Sequence, residues 1–182
     1  MPVYIGLLRA VNLGGGTRVP MTSLKELLAE VGLEAGQTLL QSGNVVFRSR
    51  TKDEPGLERL LADRIGKKLG VRTEVFVRSD GTWRSVIRGN PFTREAQDDP
   101  SHLLVMALRE APAADRWSAL AAAISGRERV HGSGRHGYLV YPDGIGRSRL
   151  TPARIESCLG TVGTARNWNT VTKLAELAAA TR

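Results

Sequence analysis

A chain of 182 residues with 41% hydrophobic and 24% charged residues is composed like a soluble globular protein and unlike a disordered one. Its formal net charge of +8 is spread out, with 15 basic and 12 acidic residues in 1–100, 11 and 6 in 101–182, and no run of five like charges. No stretch reaches the roughly 18–20 apolar residues of a membrane helix, no basic leader precedes Val3, and the lone Cys158 excludes an internal disulfide or a cysteine-based metal cluster, so the expectation is a cytoplasmic protein with no membrane partner, no metal and no cofactor.

Residues 3–9 read as a strand that is apolar on both faces. A glycine-rich loop, 12–18, leads to Ser23 and Glu26, which read as a capping box opening a helix with Leu24, Leu27, Leu28 and Val31 on one side. Strands at 38–41 and 44–48 are joined at Ser42-Gly43 as a tight hairpin. Asp53 caps a helix with Pro55 in its first turn, a stripe of Leu57, Leu60, Leu61, Ile65 and Leu69, and a stop at Gly70. A fourth strand at 73–78 completes β-α-β-β-α-β, the split, ferredoxin-like arrangement.

The second half begins the same order again. A short helix near 83–88 and a polar loop precede an apolar strand at 102–108. A helix carrying Trp117, Leu120, Ala121 and Ile124 follows, then strands at 128–131 and 138–141, then a helix at 151–159. The last β position reads as a loop, 161–168, before a terminal helix near 170–180. The fold expectation is therefore α+β: two ferredoxin-like (βαββαβ-type) subdomains packed together, plus a C-terminal helix. Residues 1–80 form the first subdomain, 81–100 a linker with a short helix, and 101–182 the second subdomain with the C-terminal helix. Both-face apolarity in 3–8 and 103–106 demands that both faces of each sheet be covered.

Four polar clusters fall at strand ends or helix starts. Arg9, Asn12 and Gly14-Gly15-Gly16 can converge backbone N–H groups and a guanidinium on an anion, or form a plain glycine turn. Gln41-Ser42-Gly43-Asn44 is explained as hairpin geometry except for Gln41, and Ser42 lacks a nucleophile elbow. In Gly146-Arg147-Ser148-Arg149, Ser148 or Thr151 can cap the next helix; an ordinary cap with solvated arginines is the favoured reading. In the segment 164–170, Asn169 or Thr170 caps the last helix. Arg166, Asn167 and Trp168 there either aim at a ligand or satisfy backbone groups. The three histidines read as structural or surface residues, and no general base is found. Tyr4 and Phe47 sit on the strands that carry RNA-stacking aromatics elsewhere, but the third-strand signature is absent.

The strings at 7–15, Val19-Pro20-Met21, 41–47, Asn90-Pro91-Phe92, Tyr141-Pro142 with Gly144, Arg147-Ser148 with Leu150, and 164–171 occur in order over nearly the whole chain. This pattern resembles the bacterial family named domain of unknown function 1697, departing from it at Ala10-Val11, where members have Gly-Ile. The resemblance implies a cytoplasmic protein of two ferredoxin-like subdomains, and it assigns neither an activity nor a catalytic residue.

From the residues themselves, Arg9, Asn12, Gly14, Gly15, Gln41, Asn44, Arg166, Asn167 and Asn169 are expected to converge on an inter-subdomain cleft. That cleft would bind a phosphate- or carboxylate-bearing small molecule, such as a nucleotide. A nucleic-acid binder using distributed arginines, and a structural or assembly module with no ligand, whose polar residues lock the subdomain interface, are the alternatives. No catalytic residue is assigned.

Overall fold

The computed structural model describes residues 1–13 and 18–182. Two compact units divide the chain: Met1–Ser85 with Lys173–Arg182, and Val86–Thr172. In the first, β1 (Val3–Leu8), α1 (Met21–Glu30), β2 (Glu34–Leu39), β3 (Asn44–Arg48), α2 (Glu54–Leu69) and β4 (Val75–Ser79) build an antiparallel sheet of order β2-β3-β1-β4. Helices α3 (Asp80–Arg88) and α4 (Thr93–Asp98) follow. In the second unit, β5 (Leu103–Leu108), α5 (Ala114–Ala122), β6 (Arg129–Ser133), β7 (His136–Val140), a 3-10 turn (Ile145–Arg147), α6 (Pro152–Leu159) and β8 (Gly163–Asn167) give the order β6-β7-β5-β8. Helix α7 (Trp168–Ala180) ends the chain. Both units are thus ferredoxin-like.

Each sheet buries one face under its own two helices. Leu24, Leu27, Leu28, Leu57, Leu61 and Ile65 meet Tyr4, Leu8, Val45, Phe47, Val75 and Val77 in the first core. Leu120, Ile155 and Leu159 meet Met106, Leu108, Leu139 and Tyr141 in the second. Each such aliphatic side chain contributes roughly 1.5–3 kcal/mol relative to exposure. The opposite faces, with Ile5, Val46 and Phe76 in one sheet and Val105, Tyr138 and Val140 in the other, are buried as well, as their apolar runs require.

The topological echo extends to register. Ile5, third in β1, lies opposite Arg78, and Val105, third in β5, lies opposite Arg166. Leu7 faces Asn44, and Ala107 faces His136. The Arg9 amide donates to Glu74 and the Arg109 amide to Val162, both at 2.9 Å. Both second helices stop at a glycine in the left-handed conformation, Gly70 (φ 67°) and Gly160 (φ 70°), where a side chain would be strained. Each fourth strand passes directly into a helix capped at the third residue on. Ser79 Oγ accepts the Thr82 amide (3.2 Å), and Asn167 Oδ1 accepts the Thr170 amide (3.0 Å).

Several local expectations are corrected. The segment 163–167 is a strand, not a loop: although polar in sequence, it is held by five register pairs with β5. The capping box at Ser23 and Glu26 does not form, because α1 starts at Met21 after Pro20, whose fixed φ of −62° enters the helix without a side-chain cap. The β2–β3 connection has four residues, 40–43, with Leu40 (φ 59°) and Gly43 (φ 72°) both left-handed. Gln41 therefore sits in a turn rather than at a strand end. The polar stretch before β5 holds α4, and its Phe92 supports the Arg129 guanidinium at 5.2 Å. Asn167, rather than Asn169 or Thr170, caps α7.

Candidate functional site

Of the predicted residues, Arg9, Asn12, Gln41 and Asn44 lie at one end of the first sheet. Arg9, 33% exposed, pairs with Glu74 at 2.6 Å. Asn12, left-handed at φ 56°, works as a clamp. Its Nδ2 donates to the carbonyls of Val19 (3.0 Å) and Gln41 (2.5 Å), and its Oδ1 accepts the Val19 amide (2.8 Å). The β1–α1 connection is thereby tied to the hairpin. Asn44 is fully buried and donates to the Leu39 carbonyl (2.9 Å) and Ser42 Oγ (2.8 Å), closing the same hairpin. Gln41 lends its backbone to Asn12 and leaves its side chain exposed. Gly14 and Gly15 lie outside the described residues.

The other three lie in the second unit. Arg166 Nη1 donates to Thr164 Oγ1 and to the Ala165 carbonyl, both at 2.9 Å, and burial pulls its guanidinium down to about 10. Asn167 caps α7, and Asn169 is exposed on its first turn. Trp168 is buried and its amide donates to the Pro100 carbonyl (3.1 Å). Three of the predicted amides, Asn12, Asn44 and Asn167, are thus occupied by the chain's own backbone and turn groups.

A different set of residues surrounds an open cavity of about 310 Å³ in the second unit, between the segments 125–128 and 141–149. Three guanidiniums line it. Arg127 pairs with Asp143 at 2.8 Å. Arg147 and Arg149 are exposed, and among the described residues neither side chain makes a hydrogen bond or ion pair. Glu128 accepts a hydrogen bond from Ser148 Oγ, which holds its carboxyl below the usual range. The same hydroxyl accepts the Leu150 amide at 2.9 Å. Behind them Tyr141 donates to the Leu150 carbonyl (3.0 Å), and burial, with Glu128 adding to it, pushes its hydroxyl up to about 12. With Glu128 and Asp143 ionised, the lining sums to one positive charge. Thr151 Oγ1 caps α6 by accepting the Arg154 amide, at 3.3 Å.

Sequence reasoning reaches Arg147 and Arg149 but prefers the solvated-arginine reading. It misses Arg127. Nothing local in the sequence marks that residue, since only the fold brings 125–128 against 141–149. No helix among the described residues is long and apolar enough to cross a membrane.

A search of curated proteins finds no match. Among solved structures, the conserved bacterial protein SP0830 from Streptococcus pneumoniae aligns over 97% of this chain and 98% of its own, with 18% identity and a TM-score of 0.75. At that identity the likeness shows a shared fold. A putative chlorite dismutase, TA0507, aligns over 97% of this chain and 99% of its own at 11% identity, but its TM-score of 0.24 carries no structural argument. The family model described as protein of unknown function (DUF1697) matches residues 1–138, from β1 into β7, and the chain belongs to that family.

Proposed function

We propose that this protein binds a small phosphate- or carboxylate-bearing molecule, and that the cleft of the second unit takes its anionic group. The observation that carries the reading is the pair Arg147 and Arg149, whose side chains lack partners among the described residues and line a cavity of about 310 Å³. A guanidinium offers a planar fork of donors matched to phosphate and carboxylate oxygens. The Arg127–Asp143 pair and the Glu128–Ser148 bond hold the walls, so the unengaged charge is that of two arginines. Binding rather than catalysis is claimed.

The test is titration of the full chain with inorganic phosphate, pyrophosphate and nucleoside phosphates, followed by backbone amide NMR and thermal shift. A ligand at about 100 times its Kd adds roughly 2.7 kcal/mol of stability. Arg147→Gln with Arg149→Gln should weaken binding about tenfold or more while leaving the melting temperature of the free protein unchanged. Absence of any shift from every anion sinks the reading. A steep linear loss of affinity for oligonucleotides with log salt, with no competition by small phosphates, would favour the nucleic-acid alternative.

A second reading has its own support. Asn12, Asn44 and Asn167 spend their side-chain amides on backbone and turn groups, which fits a framework role for those motifs.

A further inference from the structure

Two arginines account for an anionic group and leave the remaining walls of the cleft without a role. Those walls carry carboxylates: Glu128 and Asp143 line the same cavity of about 310 Å³ as Arg147 and Arg149. Glu128 is bound to the residue that separates the two arginines in sequence, since its Oε1 accepts the Ser148 hydroxyl. Its Oε2 lies over Gly126, where any Cβ would overlap it, so the glycine gives the carboxylate its seat. Arg127 Nη1 donates to Asp143 Oδ1 at 2.8 Å. Among the described residues no side chain bonds Glu128 Oε2, and no donor reaches Asp143 Oδ2. The cleft therefore presents open acceptors beside open guanidiniums. Its lining is equally informative in what it lacks. Tyr141 is the one aromatic residue among the described lining residues, and it is 1% exposed with its hydroxyl on the Leu150 carbonyl, so no ring face is open for a nucleobase to stack on. No aliphatic side chain is among them, so an acyl or alkyl chain finds no apolar wall.

We propose that the ligand of this cleft is a polyhydroxy phosphate of the sugar-phosphate type, with its phosphate on Arg147 and Arg149 and its hydroxyls donating to Glu128 and Asp143. The inference rests on the anion-binding reading above and names the substrate class of that site. An ionised carboxylate only accepts hydrogen bonds, so its partner on the ligand must be a donor, either a hydroxyl or an ammonium. Charge decides between the two. The lining already sums to one positive charge, and an ammonium at Asp143 would meet the Arg127 guanidinium. Hydroxyls donate without adding positive charge. Glu128 then acts as a specificity residue with two opposed effects. It repels a bare phosphate as a like charge, and it favours a phosphate that carries a hydroxyl beside it. The cavity volume stands at the lower end of the roughly 300–1,000 Å³ found for ligand sites, which suits a single sugar.

The experiment titrates the full chain at constant pH and ionic strength, followed by backbone amide NMR, with inorganic phosphate, ribose 5-phosphate, glucose 6-phosphate, adenosine monophosphate and unphosphorylated glucose. At least one sugar phosphate should bind about tenfold or more tightly than inorganic phosphate, the gain expected of a hydroxyl bonded to a charged acceptor. Adenosine monophosphate should bind no more tightly than ribose 5-phosphate, and glucose should not bind. Glu128→Gln keeps an acceptor for Ser148 and should lower sugar-phosphate affinity about tenfold. The same variant should bind inorganic phosphate about twofold or more tightly, because a like charge is gone. These opposite signs separate recognition from mere support of the walls, which would weaken both ligands together. Equal affinity of the parent for phosphate and both sugar phosphates, or a parallel fall for all ligands in Glu128→Gln, would overturn the polyhydroxy class and leave the anion site standing. Adenosine monophosphate binding about tenfold more tightly than ribose 5-phosphate, an order of magnitude that base stacking supplies, would overturn it in favour of a nucleotide. No amide response to any phosphate would overturn the cleft, and this class with it.

Discussion

Replacing Asn12 with glycine separates a clamp from a ligand-binding amide. Glycine keeps the left-handed backbone at φ 56° without steric cost, so the change isolates the side chain. Three hydrogen bonds vanish, to the Val19 carbonyl, the Gln41 carbonyl and from the Val19 amide. At a net of about 0.5–1.5 kcal/mol each, and with the backbone amide of Val19, a residue 1% exposed, left unpaired, the loss is roughly 2–4 kcal/mol. In a chain of this size 1 kcal/mol moves the melting temperature by roughly 2–4 °C, so the fall is on the order of 10 °C. Asn12→Ala should fall further, by about 1 kcal/mol, because alanine is strained in the left-handed region. Thermal melts of both variants, with phosphate titrations of each, decide the matter. Should Asn12→Gly melt within about 1 °C of the parent yet lose anion affinity, the amide is held for a ligand and the clamp argument is wrong.

Other expectations follow from the same kind of accounting. Gly137 lies under Trp117, and a Cβ there would fall 2.2 Å from the indole Cη2, so Gly137→Ala should cost about 1–3 kcal/mol by forcing the ring off its seat, read by denaturant unfolding and tryptophan fluorescence. Arg78, fully buried, donates to Glu58 at 3.2 Å, and Arg78→Met alone should cost roughly 3–5 kcal/mol by stranding that carboxylate. The double variant Glu58→Leu/Arg78→Met should recover most of the loss; a double variant no better than the single one would mean the pair is not the cause. Tyr141, raised to about 12, binds its proton more tightly when folded than when unfolded. Its contribution is therefore complete below pH 10 and is lost as pH rises through about 12, so Tyr141→Phe should flatten the alkaline fall in stability between those values. An unchanged alkaline slope would assign the fall to another group.

The helices and most strands are legible in the sequence because their signals are local. The stripe of Leu57, Leu61 and Ile65, with Gly70 behind it, announces α2 without any tertiary information. The errors have two causes, tertiary pairing and a misplaced helix start. Strand β8 carries Thr164, Arg166 and Asn167 and has no apolar alternation of its own; its extended form comes from β5, which offers partners for all five residues. Ser23 resembles a cap because Glu26 stands three residues on, but Pro20 supplies an earlier start. At the candidate site, residue type is readable and orientation is not. Asn12 and Asn44 carry amides suited to a ligand, and the fold turns both onto backbone carbonyls. Arg147 and Arg149 have the look of ordinary solvated charge until the fold brings 125–128 beside them.

Comparing the two halves separates the shared framework from the cleft. Positions that repeat serve the framework. Arg78 and Arg166 share a register, and each donates to the carbonyl of the residue before it, at 2.7 and 2.9 Å. Each is followed by a capping residue and a helix, so the repeated pair marks the passage from strand to helix. The halves differ in their connections. Between the third strand and second helix the first unit uses five residues, 49–53, and the second uses eleven, 141–151. Between the first helix and second strand the first unit uses three, 31–33, and the second uses six, 123–128. These two longer connections supply every described residue lining the cleft of the second unit. Extra loop length carries no topological role, since the first unit closes the same sheet without it, and loops set on a rigid sheet are where binding groups are mounted. The arginines of the cleft thus sit on the parts of the second unit that the shared fold does not need.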